Sequence, residues 1–350
     1  MEENLLERIT DLTLYTGTYG RKRCTCSCIG CTQESYGRRN EDFQGTMKQI
    51  DIISKKLPNL KTVYFLGNPD VSVDTEFCNL ASRKFAQEGK KLMYSTSGYN
   101  AMETLKKLLD GIDPQNVESI SYSIDTLDDE KFKYLKGNKD ISIEEIEKAI
   151  QYCNDNKIKV KIQPTLWDIN QDDYKDIIQH YSKKYNIDWF TFHAGSFEAL
   201  QDRKVPLKHI RPEKWRKIAR EINEIAKREK LKILVPKIFL DEEEYKEYKE
   251  NAKLYCNNGG CGMQIWMQKD GLKATFCPLL AETRANDIVF DFEKETPKLV
   301  KTNNECLVCT KCIDDELKKQ STNEFGIEFL IQERKLYNAC RYYSYREDYR

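Results

Sequence analysis

One short stretch, Arg23-Cys24-Thr25-Cys26-Ser27-Cys28-Ile29-Gly30-Cys31, constrains this chain more than any other. Within it Cys24, Cys28 and Cys31 have the spacing Cys-x3-Cys-x2-Cys. Three thiolates on one loop can hold three irons of a 4Fe-4S cube and leave the fourth iron free of protein, and thiolate is the usual ligand of such clusters. A free iron corner can chelate a small molecule, which an all-cysteine electron carrier cannot do. Cys26 makes four cysteines in eight residues, so a zinc site with four thiolate ligands is a second reading of the loop. Structural zinc usually joins two separated cysteine pairs and so clamps distant segments, whereas four ligands on one tight loop would clamp little.

The other cysteines are unevenly placed. Of thirteen in the chain, four fall within residues 24–31 and seven between Cys256 and Cys340, leaving Cys78 and Cys153 in the middle. The start, Met-Glu-Glu-Asn-Leu-Leu-Glu-Arg, has no apolar signal core, so a cytoplasmic location is expected. In a reducing compartment such cysteines suggest metal or redox chemistry at two ends of a scaffold rather than disulfides. A formal net charge of zero argues against a chain devoted to nucleic acid or an anionic membrane. No apolar run approaches the length of a membrane span.

Between the two ends the pattern alternates. Residues 11–16 read as a first strand, and the cysteine loop follows at once. Met47, Ile50, Ile53 and Leu57 have helical spacing, ended by Pro58, and Thr62–Leu66 is a short buried strand stopping at Gly67-Asn68-Pro69. Helices over 74–88, 101–110, 142–154 and 171–184 then alternate with strands at 91–96, 119–124, 157–164 and 189–193. Helix 212–229 and a strand at 232–235 close the series, and residues 241–250 read as a charged surface helix. Such alternation is the signature of a parallel sheet. Six units fall short of the eight of a closed barrel, so the expected architecture is α/β, a partial (β/α)6 TIM-like barrel with functional loops beyond the carboxyl ends of its strands.

The cysteine loop resembles the cluster loop of the radical S-adenosylmethionine (SAM) enzymes, in which the amino and carboxylate groups of SAM occupy the free iron. Gly30 departs from that pattern, because the residue before the last cysteine is often aromatic there. Gly67, Asn68 and Pro69 resemble the family's Gly-Gly-Glu-Pro turn, which receives the SAM amino group; Leu66 replaces the first glycine and Asn68 the acid. An amide carbonyl still accepts from an ammonium group but brings no charge. Ser123 and Asp125, followed by Lys136-Gly137, resemble the family's Ser-x-Asp and Arg-Gly, contacts to the ribose and amino-acid part of SAM. Lys136 keeps the positive charge without the bidentate geometry of arginine. Asp125 would also serve as a cap for a helix beginning near Leu127. Gln163 is a further ribose contact under this resemblance, and Thr96-Ser97-Gly98 echoes a Thr-Asn-Gly turn.

The cysteine-rich end strengthens the resemblance. Cys256, Cys261 and Cys277 enclose Gln264–Phe276, where Asp270-Gly271 marks a hairpin. Cys306, Cys309, Cys312 and Cys340 follow. This arrangement resembles the SPASM and twitch extensions that hold auxiliary 4Fe-4S clusters, although five residues, one more than usual, separate Gly271 from Cys277. Seven cysteines cannot fill two cubes, so one or two auxiliary clusters are implied; zinc suits separated cysteine groups as well. The implied domains are a barrel over 1–240 and a C-terminal cysteine-rich SPASM/twitch-like domain over 241–350.

What the resemblance implies is reductive cleavage of SAM to a 5′-deoxyadenosyl radical that abstracts hydrogen from a substrate. Auxiliary clusters favour a net oxidation, hence a radical SAM oxidoreductase. The expected substrate is a ribosomally made peptide; the alternative is a small molecule such as a sugar or aminocyclitol. A separate electron donor of flavodoxin or ferredoxin type is implied. Cys26, Cys78, Cys153 and Cys340 are candidates for a thiol that returns a hydrogen atom in an epimerisation, although Cys78 and Cys153 read better as small buried hydrophobes. His193 points toward a substrate space or is a hydrogen-bonded barrel histidine. A non-catalytic iron–sulfur or zinc protein is the reading from another class, and RNA modification is disfavoured by the charge balance.

Overall fold

The computed structural model describes residues 7, 9–15, 24–31, 43–66, 70–195, 207–208, 210, 212–235, 262–268, 271–275 and 290–291. Seven parallel strands form its centre: β1 (Asp11–Tyr15), β2 (Thr62–Leu66), β3 (Lys91–Thr96), β4 (Val117–Tyr122), β5 (Lys159–Ile162), β7 (Ile187–Thr191) and β9 (Ile233–Leu234), side by side in chain order. Helices fill the crossovers: α1 (Phe43–Lys56), α2 (Thr75–Gln87), α3 (Ala101–Leu109), α4 (Asp129–Lys136), α5 (Ile143–Asp155), α6 (Tyr174–Lys184) and α7 (Pro212–Glu229). A two-stranded parallel piece, β6 (Thr165–Leu166) with β8 (His193–Ala194), lies just beyond β5 and β7. The expected α/β architecture of repeated strand–helix units is thus observed.

Alternation along the strands decides which face packs. Val63 and Phe65 of β2, Leu92 and Tyr94 of β3, Ile120 and Tyr122 of β4, and Val160 and Ile162 of β5 are all buried in one core. The helices meet them with residues spaced by three and four, such as Leu105, Leu108 and Leu109 of α3 and Ile146, Ala149, Ile150 and Cys153 of α5. Cys78 and Cys153 are fully buried here, which suits small hydrophobes. The opposite face carries polar groups: Ser95 pairs with Ser121, and Ser121 with Lys161, which pairs with Trp189, across four strands.

Several element bounds shift by a few residues from the sequence expectation, and the shift at α4 has a specific physical reason. The helix near Leu127 begins at Asp129, capped by the Asp128 carboxylate, which accepts the Lys131 N–H at 2.9 Å. Asp125 is therefore not the cap. The expected hairpin is formed by β10 (Gly262–Gln268) and β11 (Gly271–Thr275), antiparallel with Gln268 opposite Gly271. β12 (Phe290–Asp291) pairs with β11, and β10 pairs in parallel with β1, so the hairpin extends the barrel sheet on the side of the cysteine loop. The expected helix over 241–250 and the cysteines from Cys256 onward lie outside the described residues.

Candidate metal and cofactor site

The cysteine loop sits at the carboxyl edge of the sheet, held by groups that follow β2, β3, β4 and β6. The last turn of α4 is its main support. Ile29 N–H donates to the Leu135 carbonyl at 3.0 Å, and Asn138 Nδ2 donates to the Thr25 carbonyl at 2.9 Å. Gly137, at φ +56°, ends α4 in the left-handed conformation, its N–H and that of Asn138 returning to Tyr134 and Lys133 carbonyls. A Cβ on Gly137 would collide with the Ser27 carbonyl. Within the loop, Cys31 N–H donates to the Cys28 carbonyl at 3.1 Å.

The four thiols divide into three and one. Cys24, Cys28 and Cys31 keep part of their surface open, whereas Cys26 is buried, and none of the four is in a disulfide. Cys26 Sγ donates to Ser97 Oγ at 3.4 Å. Contact with the Cys28 thiol, opposed by burial and aided by the Ser97 hydroxyl, lowers the Cys26 thiol to about 7. The same contact together with burial pushes the Cys28 thiol up. Burial likewise raises Cys24, against hydrogen bonds from the Asp70 and Cys26 backbone.

Among the described residues, no three His, Cys, Asp or Glu side chains converge as a single metal ion requires. A cube takes one thiolate at each of several separate irons, so three partly open thiols on one supported loop suit it. The donor set fits such a cluster on Cys24, Cys28 and Cys31.

Beside the loop lies a buried polar network. Lys136 Nζ is 2.7 Å from Asp125 Oδ2 and donates to Ser123 Oγ at 2.7 Å. Asp125 Oδ1 accepts the Thr165 N–H at 2.7 Å, and Asn170 Nδ2 donates to the Asp125 carbonyl at 2.7 Å. Burial works against the charge of Lys136, but the Asp125 carboxylate and the nearby thiols hold its pKa above the ordinary lysine value. The structure thus brings Ser123, Asp125 and Lys136 together. Gln163 lies on the polar sheet face instead, accepting from Ser95 Oγ at 3.5 Å, next to the Tyr64 phenol. Gly67, Asn68 and Pro69 lie outside the described residues. His193 forms β8 with its backbone N–H on the Pro164 carbonyl.

Sequence reasoning missed two residues. Asp70 is buried, its Oδ1 accepting from Thr96 Oγ1 and Ser72 N–H, both at 2.9 Å, and its Oδ2 from Ser97 N–H at 2.5 Å. It ties the turn after β2 to the turn after β3, where its backbone meets the Cys24 thiol and Ser97 meets Cys26. Its place two residues beyond Asn68 was the only available signal. Trp167 packs against the loop at Gly30, and nothing local announces it.

Fold and site define a class: an α/β partial barrel whose carboxyl edge carries a three-thiol loop beside a buried serine–carboxylate–lysine network. Residues 21–181 match the model of the radical SAM superfamily, and this match supports placing the chain in that superfamily. The chain is 26% identical over 190 residues to the uncharacterized protein MJ0103 of Methanocaldococcus jannaschii, covering 50% of this chain and 42% of that protein. In fold it is similar to SuiB of Streptococcus suis bound to S-adenosylmethionine (TM-score 0.60, 16% identity, 82% of this chain and 64% of that one). It is also similar to anSMEcpe with bound AdoMet and the Cp18Cys peptide (TM-score 0.55, 12% identity, 82% and 79%). The match thus spans less than two thirds of MJ0103 and of SuiB. No helix among the described residues is long and apolar enough to cross a membrane.

Proposed function

We propose that the chain is a radical SAM oxidoreductase that modifies a ribosomally made peptide. The observation that carries the reading is the support given to three partly open thiols, Cys24, Cys28 and Cys31, beside the Ser123–Asp125–Lys136 network. Cys24, Cys28 and Cys31 would hold a 4Fe-4S cluster, which together with SAM would supply a 5′-deoxyadenosyl radical for hydrogen abstraction. The chain's own groups bind and aim. An ammonium has three N–H donors, and Lys136 commits two of them to Asp125 and Ser123, leaving one for the SAM carboxylate. The Ser123 hydroxyl, accepting from Lys136, keeps its own proton to donate. The turn Gly67-Asn68-Pro69 takes the SAM ammonium in this reading, and Gln163 serves the ribose side.

The peptide assignment draws on anSMEcpe, whose structure holds AdoMet together with a peptide. One or two auxiliary 4Fe-4S clusters on Cys256, Cys261, Cys277, Cys306, Cys309, Cys312 and Cys340 belong to the same proposal. So do the division into 1–240 and 241–350, a cytoplasmic setting and a separate flavodoxin or ferredoxin donor. Anaerobic reconstitution with iron and sulfide, reduction, and mass spectrometry for 5′-deoxyadenosine test it. Product should form with SAM and rise when a peptide encoded beside this chain is added. A reconstituted, reduced chain that leaves SAM intact overturns the reading.

A further inference from the structure

Gly30 and Gly195 lack the positive φ that explains Gly89, Gly98, Gly111 and Gly137, so their backbones do not call for glycine. Both are explained by one ring. A Cβ on Gly30 would lie 2.6 Å from Cε2 and 3.0 Å from Nε1 of Trp167, inside van der Waals contact. A Cβ on Gly195 would fall on Cε3, Cζ3 and Cδ2 at the other end of the same indole. Trp167 is 3% exposed, packed with Leu135, Leu207 and Ile29.

We infer that Trp167 is a positioning residue of the cysteine loop, its indole filling from across the barrel mouth the space that Gly30 leaves beside Cys31. The frame that aims the ring also holds the polar network. Trp167 N–H donates to Asn170 Oδ1 at 2.6 Å, and Asn170 Nδ2 donates to the carbonyls of Asp125 at 2.7 Å and Thr165 at 3.0 Å. Gly195 N–H donates to the Leu166 carbonyl at 2.8 Å. Gly30 lies inside the Cys28–Cys31 turn, so whatever fixes its position fixes the spacing of those two thiols. An aromatic body there also excludes water, and the apolar shell of a metal site sets its solvent access and dielectric.

The inference rests on the proposed cluster, and a ring exchange tests it in the full-length chain after anaerobic reconstitution. Readouts are iron per chain, the electron paramagnetic resonance spectrum of the reduced protein, and affinity for S-adenosylhomocysteine. Trp167→Ala should weaken cofactor affinity or cluster retention by about tenfold or more, the usual cost of losing a supporting group. Trp167→Phe should retain most of both. Gly30→Phe alone should collide with the indole and lose the cluster, while Gly30→Phe combined with Trp167→Ala should recover it. A Trp167→Ala chain indistinguishable from wild type, or a double variant no better than Gly30→Phe, overturns the inference. Wild-type chain that takes up no cluster overturns the functional reading itself, a result separate from either of these.

Discussion

Lys136 Nζ lies 2.7 Å from Asp125 Oδ2 with both side chains over nine-tenths buried, so the ion pair is sealed inside the carboxyl edge of the barrel. Ser123 and the Thr165 N–H take up further hydrogen-bonding capacity on each side. Removing one partner from such a pair strands the other charge in low dielectric, which costs about 3–5 kcal/mol, whereas removing both costs far less. Lys136→Met should therefore destabilise the apo chain by about that amount, and the combination with Asp125→Asn should recover much of the loss. Urea unfolding of the full-length variants near neutral pH measures both. Because the folded pKa of Lys136 is raised, its contribution is present below the ordinary lysine value and is lost only as pH climbs past the folded one. A single variant costing under about 1 kcal/mol, the range of a surface pair, would show the pair to be solvated.

Asp70 offers a second test, this one of the brace between β2 and β3. Its carboxylate accepts three hydrogen bonds, from Thr96, Ser72 and Ser97. An asparagine has one oxygen and would turn an N–H toward at least one of these donors. Asp70→Asn should cost about 1–3 kcal/mol, the penalty for an unmatched buried polar group. Its effect on iron retention should exceed that of a surface change of equal cost, because Ser97 also receives the Cys26 thiol. Paired measurement of unfolding and of iron per reconstituted chain separates the two effects.

Much of the barrel was legible because its strands obey local rules. Thr62–Leu66 and Lys91–Thr96 are apolar or alternating runs bounded by turn residues, and the strands observed there have those limits. Helix 212–229 was equally plain from its period. The cysteine loop was legible too, because its four cysteines fall within eight consecutive residues. What escaped was tertiary. Trp167 meets Gly30 only because β6 delivers it to the barrel mouth, a contact between residues far apart in the chain. Asp70 hid behind Asn68-Pro69, and Asp125 looked like a helix cap because Asp128, the actual cap, stands three residues on. Short polar residues near a strand end serve several local purposes, and only the packed fold decides among them.

The α6–α7 contact predicts a pH signature away from the site. Glu221 of α7 receives the Tyr174 hydroxyl and lies 2.7 Å from Lys175 Nζ, both on α6. Those hydrogen bonds, Lys175 first, hold its carboxyl down at about 2. A depressed folded pKa gives stability that is present above the unfolded value and lost as pH falls toward the folded one. The stability gap between wild type and Glu221→Gln should hold steady down to about pH 4.5, then close as pH approaches 2, as the linkage relation requires. Chemical unfolding across that range reads the gap, and a pH-independent difference would remove Glu221 from acid sensitivity.

Gly137 allows the support of the cysteine loop to be separated from simple backbone strain. Its φ is +56° and Gly89 has φ +75°, so alanine at either position pays for a left-handed conformation, about 1–2 kcal/mol. Only at Gly137 would the new methyl meet something it cannot displace cheaply, the Ser27 carbonyl of the loop; at Gly89 nothing lies within 4 Å. The two variants should thus lose similar stability from strain, with Gly137→Ala losing more because the loop must move. The difference should be larger in iron retention: Gly89→Ala should reconstitute like wild type, while Gly137→Ala should hold markedly less iron. Equal iron in both would mean that α4 does not set the position of the loop, and the geometry around Leu135, Gly137 and Asn138 would be incidental to metal binding.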